Sequence, residues 1–173
     1  MDNKKFTCVK IIFSKYAKEI GVFRRKVWEV EKEFDADAFP EQSWLDDLDK
    51  TAVHWLVFND GEIIASARLG VYFSYAETPY MEIMKPYKSL LKLPIASLNR
   101  LVVHRDYRGN HIAQLLDEAR VEEAKENKAK TLVGQAVAGR IKGLQGLGFE
   151  YIADIGRIKE FPKTELCLMI KNL

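Results

Sequence analysis

The stretch SLNRLVVHRDYRGNHIA, residues 97–113, carries an apolar strand pattern through a short arginine-glycine turn directly into the start of a helix. The strand is part of a buried-type run over 95–104. Beyond the turn, Ile112, Leu115, Leu116 and Ala119 form an apolar stripe. Asp117, Glu118, Glu122, Glu123 and Lys125 cover the opposite face, so 111–127 reads as a surface helix. The first turn of a helix leaves several backbone N–H groups without partners and carries roughly +0.5 charge from the aligned peptide dipoles, which favours a phosphate there. Gly109 lets the backbone approach closely, and the guanidinium forks of Arg108 and Arg105 match phosphate oxygens. The same turn also serves as ordinary connectivity, so its surroundings must decide.

Before this stretch, residues 6–13 (FTCVKIIF) are rich in β-branched and aromatic types and read as a first strand. Ser14 offers an N-cap to an amphipathic helix reaching about residue 34, with Tyr16, Ile20, Phe23, Val27 and Phe34 on one face. Residues 35–51 hold Asp35, Asp37, Glu41, Asp46, Asp47 and Asp49 against Lys50, and Pro40 forbids a continuous helix, so an acidic loop or short helical turn is expected. AVHWLVF and EIIASARLGVYF flank Asn59, Asp60 and Gly61, which predicts a hairpin. Residues 80–93 read as helical between Pro86 and Pro94. After the 111–127 helix come a strand at 131–137, a glycine-punctuated short helix at 139–147 and two strands, FEYIA and ELCLMI. No repeat or linker divides the chain, so a single domain over 1–173 is expected. A hairpin followed by strands alternating with helices implies a mixed sheet covered on both faces.

In order and spacing, the strand ending at Leu101, Val102 and Val103, the loop Arg108-Gly109-Asn110-His111-Ile112-Ala113, the helix, a further strand and then Leu147-Gly148-Phe149 resemble the GCN5-related N-acetyltransferase (GNAT) superfamily. The resemblance implies an α/β (α+β in some schemes) three-layer sandwich with a mixed, mostly antiparallel central sheet, and acetyl-CoA as co-substrate. It further implies that backbone N–H groups of Asn110 through Ala113 hold the coenzyme A pyrophosphate. The edge at Leu101, Val102 and Val103 would pair with the pantetheine arm, in a slot left where this strand diverges from 131–137. The acetyl group would pass to a primary amine by direct attack in a ternary complex. His111 stands where the family has glycine, so either its φ is negative or the loop is remodelled. Its side chain either reaches a phosphate or stays an exposed cap. Val137 replaces an asparagine, and Leu144 replaces the tyrosine that protonates the departing thiolate. A thiol of pKa about 8.5 leaves at pH 7 with a penalty of roughly 2 kcal/mol, so water or another hydroxyl can replace that acid.

For proton removal from the acceptor, Glu31, Asp46, Asp49 and His54 are the candidate bases, and the acidic segment is either a wall that gathers a cation or a solvated loop. Asn99 cannot take a proton. Arg24, Trp28, Phe34, Asp46, Asp49, Arg68 and Arg100 also resemble the pattern of acyl-homoserine lactone synthases, which share this architecture and prefer glutamate where Ser97 sits. Trp28 and Phe34 equally suit core packing at helical spacing. The alternatives are therefore a synthase-like acyltransferase or a non-catalytic acyl-CoA sensor, the latter motivated by Leu144, Val137 and His111.

The net charge of +2 gives no general pull toward nucleic acid or membrane, and the apolar run near the N-terminus is too short to span a bilayer. The expected partners are acetyl-CoA and an amine, with a homodimer compatible, in the cytoplasm. The histidines, His54, His104 and His111, lack metal-ligand spacing, so no metal is expected. Cys8 and Cys167 read as buried, inert strand residues.

Overall fold

The computed structural model describes residues 6–38, 41–158 and 161–173. Its centre is a seven-stranded sheet in the order β1-β2-β3-β4-β5-β7-β6. The strands are β1 (Thr7–Ile11), β2 (Val53–Asn59), β3 (Glu62–Tyr72), β4 (Ile95–Val103), β5 (Thr131–Ala136), β6 (Glu150–Ile158) and β7 (Phe161–Asn172). Every neighbouring pair is antiparallel except β4 and β5. Asp60 and Gly61 turn the β2–β3 hairpin with φ of 50° and 83°, the left-handed pair that suits the twist of the flanking strands.

Helices cover both faces. Alternation along the strands gives β2, β3 and β4 one face of Trp55, Val57, Ala65, Ala67, Leu69, Ala96 and Leu98. Onto it pack Ile112, Leu116, Val121 and Ala124 of α3 (Ile112–Glu126) and Leu144 of α4 (Ile141–Gly146). The other face receives α1 (Phe13–Trp28) through Val27 against Val102, and α2 (Met81–Met84) through Met84 against Ile95 and Val133. The sheet is thus mixed and mostly antiparallel, between two helical layers, as the sequence implied.

Some boundaries differ from the sequence reading. α1 begins at Phe13 with Ile12 as its N-cap, so Ser14 lies inside the helix. It ends at Trp28, and the chain reaches Phe34 through turns closed by Glu31 N–H to Trp28 O and Phe34 N–H to Glu31 O. Phe34 still joins the Val27–Trp44 cluster, which is why its spacing looked helical. The acidic segment contributes short 3-10 turns at Ala36–Ala38 and Asp47–Lys50, while Pro40 lies outside the described residues. Residues 80–93 split into α2 and a 3-10 turn at Lys85–Leu90. The last two strands form a hairpin longer than FEYIA and ELCLMI. Cys167 is buried, but Cys8 on the edge strand is only partly so.

Candidate functional site: a split in the sheet between two charged layers

β4 and β5 pair from Ile95–Thr131 to Leu98–Gly134 and no further, although β4 continues to Val103 and β5 to Ala136. The split starts beside a bulge. Opposite Ser66–Arg68 the β4 register slips, and Arg100 takes a φ of 52°, a left-handed value uncommon for a non-glycine residue. Past the bulge, Leu101, Val102 and Val103 have β3 on one side and the split on the other. Asn99 donates from Nδ2 to Gln135 Oε1 at 3.3 Å, bridging the two strands where they part.

The loop leaving β4 makes a 3-10 turn at Arg105–Tyr107 and is held by Asn110 Nδ2 donating to Tyr107 O at 3.0 Å. Gly109 has a φ of 83° with nothing within 4 Å of where a Cβ would stand. His111 has a φ of 59° and is the N-cap of α3, so histidine accepts the left-handed conformation that a glycine would adopt more cheaply. Its side chain makes no capping bond and the first turn of α3 holds no acidic residue. The N–H groups opening α3 therefore lack intrahelical partners and a cap from that side chain. Beside them runs an open groove lined by Phe6, Asn110, His111, Gln114, Leu115 and Glu118. Ile112 is buried beneath the turn, and Ala113 is half-buried. Arg108 points elsewhere than the helix: its Nε donates to Val103 O at 3.1 Å and its Nη2 to Glu31 Oε1 at 2.5 Å.

On the opposite face the acidic segment is tied into a buried charge cluster. Arg24 Nη1 lies 2.8 Å from Asp49 Oδ1, and Arg68 Nη1 lies 2.5 Å from Asp46 Oδ1 and 3.0 Å from Asp49 Oδ1. Arg100 Nη2 lies 2.5 Å from Asp46 Oδ2. The Asp-x-x-Asp spacing aims both carboxylates inward, because Asp49 Oδ2 also accepts the Asp46 N–H at 2.9 Å. Burial works against charge on Asp46, but the Arg68 and Arg100 guanidinium groups outweigh it and bring the carboxyl down to about 2. Burial likewise opposes charge on Asp49, yet Arg24 and Arg68 hold it below its ordinary value. Burial lowers Arg24 to about 10, and it remains a cation at neutral pH.

His54 joins the cluster as a neutral ring. Burial pushes it down to about 4, with Arg24 adding to the effect. Its Nε2 donates to Asp49 O at 2.9 Å, which leaves Nδ1 to accept from Arg24 Nη2 at 3.4 Å, and Phe13 stacks on it at 4.6 Å. Asp46, Asp49 and His54 therefore have every proton-accepting atom engaged. Glu31 stands apart, beside Arg108, and keeps one oxygen outside that pair.

Sequence reasoning passed over Arg120, Arg140 and Ser66, and it placed Asp117 and Glu123 on the solvent face of α3, where the structure buries both. Arg120 and Asp117 of α3, 2% and 1% exposed, form an ion pair, and Arg140 binds the other Asp117 oxygen. Arg120 Nη1 donates at 3.3 Å to the carbonyls of both Arg68 and Asn99 at the bulge. Ser66, Arg68 and Ser97 are fully buried on the α1 side of the sheet. The available signal was polar residues recurring at every second position within the apolar run of β3, Ser66 and Arg68. Leu144 is buried in the core, and Val137 is a partly exposed residue just past β5. Among the described residues no group of His, Cys, Asp or Glu side chains is arranged to hold a metal, and no helix is long and apolar enough to cross a membrane.

Solved structures share this architecture. A polyamine N-acetyltransferase from Drosophila melanogaster, which forms N-acetylagmatine, superposes with a TM-score of 0.68 at 12% identity, covering 98% of this chain and 100% of its own. The NatC complex bound to Gag peptide and CoA gives 0.66 at 11%, covering 98% and 99%. The AHL synthase LasI gives 0.67 at 16%, covering 96% and 88%. At these identities the likeness is one of fold. No curated protein matches the chain. The sequence model of the acetyltransferase (GNAT) family, however, matches residues 15–140, spanning the split, the loop and the α3 N-terminus together, and the chain therefore belongs to the GNAT acetyltransferase family.

Proposed function

We propose that the protein transfers an acetyl group from acetyl-CoA to a primary amine by direct attack within a ternary complex. The observation that carries this reading is the parting of β4 from β5 after Leu98 and Gly134, directly upstream of a helix whose first N–H groups are uncapped by a side chain. In this reading the N–H groups of Asn110, His111, Ile112 and Ala113 receive the pyrophosphate, and the β4 edge at Leu101, Val102 and Val103 receives the pantetheine arm. The thioester then lies in the split, within reach of an acceptor from the α1 side. Arg108 shapes the site by tying Val103 to Glu31, and Gly109 keeps the phosphate approach open. The amine loses its proton to water, since Asp46, Asp49 and His54 are engaged and Glu31 is held beside Arg108, apart from that cluster. The test is thiol release from acetyl-CoA with a panel of amines, paired with titration of coenzyme A into Gly109→Glu. Turnover is expected in the native protein. The variant is expected to lose the cofactor through like-charge repulsion and a strained φ, and an unchanged affinity would remove the phosphates from this loop.

A second reading is favoured by the cluster of Arg24, Asp46, Asp49, Arg68 and Arg100: an acyltransferase similar to the acyl-homoserine lactone synthases. Preference for longer acyl donors together with S-adenosylmethionine would select it over simple acetylation.

A further inference from the structure

On the α1 side of the sheet, orphaned polar atoms gather on neighbouring positions of β3 and β4. Ser66 Oγ, Arg68 Nε and Nη2, Ser97 Oγ and Asn99 Oδ1 are all buried and make no hydrogen bond. Arg68 and Asn99 are cross-strand partners, Ser97 faces Gly70, and Ser66 precedes Arg68 on the same face. Buried polar groups are ordinarily satisfied, so such a concentration marks a place built for something polar. Arg68 spends only Nη1 on Asp46 and Asp49, which leaves its Nε–Nη2 edge, a fork matched to a carboxylate, facing the patch. Asn99 spends its Nδ2 on Gln135, which fixes Oδ1 as an acceptor. Asn99 also follows Leu98, the last β4 residue paired with β5, so this acceptor sits where the split opens. The missing Cβ of Gly70, which pairs with Ser97, makes way for Tyr72, whose hydroxyl oxygen lies 2.2 Å from where that Cβ would stand.

Donors on one side and a lone acceptor beside the split are complementary to a molecule that carries both an anion and an amine. We propose that this patch seats the acyl acceptor and that the acceptor is an α-amino acid. Its carboxylate lies on the Nε–Nη2 edge of Arg68 with the Ser97 hydroxyl, and its amine lies on Asn99 Oδ1. The inference rests on the acyl-transfer reading and gives it a substrate class. The amine nitrogen bonds to the thioester carbonyl carbon, the C–S bond breaks, coenzyme A departs with the electron pair, and the proton lost by nitrogen passes to solvent and on to the thiolate. An amine without a carboxylate leaves the donors of Arg68 and Ser97 unmet, which is the strongest ground on which a buried polar site rejects an analogue.

The test is calorimetric titration of the full chain with amino acids and with their decarboxylated amines, methionine against 3-(methylthio)propylamine among them. At least one amino acid is expected to bind ten-fold or more tightly than its amine. Ser97→Glu sets a carboxylate against Arg68 from within, so it is expected to abolish amino-acid binding without lowering the melting temperature. Ser97→Ala is expected to weaken it several-fold. Equal binding of amines and amino acids, binding of no amino acid, or native affinity in Ser97→Ala would overturn the proposal. Amino-acid binding by a protein that fails to bind acetyl-CoA would uphold the patch and overturn acyl transfer. Turnover with amines and no preference for a carboxylate would do the reverse.

Discussion

His54 is a titratable side chain whose environment forbids titration at neutral pH. Burial, with Arg24 alongside, lowers it from 6.5 to about 4, so between those values the unfolded chain binds a proton that the folded protein refuses. Stability contributed by the neutral ring is complete above pH 6.5 and is lost as pH falls toward 4, at up to about 1.4 kcal/mol per pH unit. Asp46 then takes over with the same sign. Its carboxyl is held at about 2 against an ordinary 3.8, so its contribution is present above 3.8 and disappears as pH falls to about 2. Urea denaturation over a pH series should show the midpoint falling from near pH 6.5 downward. In His54→Gln, which keeps a donor and an acceptor, the slope between 6.5 and 4 should flatten while the loss below 3.8 persists. An equal slope in both proteins would assign the acid sensitivity elsewhere.

Among the elements, α3 does more than open at the loop that follows β4. A bulge takes backbone groups out of their ladder partners, and Arg120 answers the carbonyls of Arg68 and Asn99 from the helix side of the sheet. Arg120→Met would leave Asp117 partnered only by the half-exposed Arg140 and would withdraw both bonds from the bulge. A loss of about 3–5 kcal/mol in denaturant unfolding is expected, as for a broken buried ion pair. Faster hydrogen exchange at the Arg100 and Leu101 amides, beyond that at the β6–β7 hairpin, should separate local loosening from general destabilisation. None of this was legible beforehand, because a charge at a helix position reads as surface until the tertiary partner is known. What the sequence did disclose were the local patterns: the Asp60-Gly61 hairpin, the apolar stripe of α3, and the strand-loop-helix order at 97–113. α1 was read six residues too long because Phe34 returns to the apolar cluster by a turn, with Arg25 stacked over its ring at 4.4 Å. The acidic segment divides: Asp47 stays exposed, whereas arginines on α1, β3 and β4, far apart in sequence, converge on Asp46 and Asp49.

At the scale of the molecule, the acyl-transfer proposal puts donor and acceptor in opposite layers: coenzyme A at the α3 N-terminus, the acceptor near the charge cluster under α1, and the split between β4 and β5 as the route between them. Such an arrangement asks both substrates to be present at once, unless a side chain in the split carries the acyl group across. Cys167 is a thiol beside that route, paired across from Ala136 near the end of β5. Its thiol is buried, donates to Ala136 O at 3.1 Å, and is raised above its ordinary value by burial with Asp154 adding to the effect. A thiolate is therefore disfavoured where a covalent intermediate would need one. Initial-velocity plots at several fixed acceptor concentrations should give intersecting lines, and Cys167→Ala should keep kcat within about two-fold, because the exchange removes a sulfur that packs but does not react. Parallel lines together with an inactive Cys167→Ala would mean that the acyl group rests on this sulfur, and direct attack across the split would have to be abandoned.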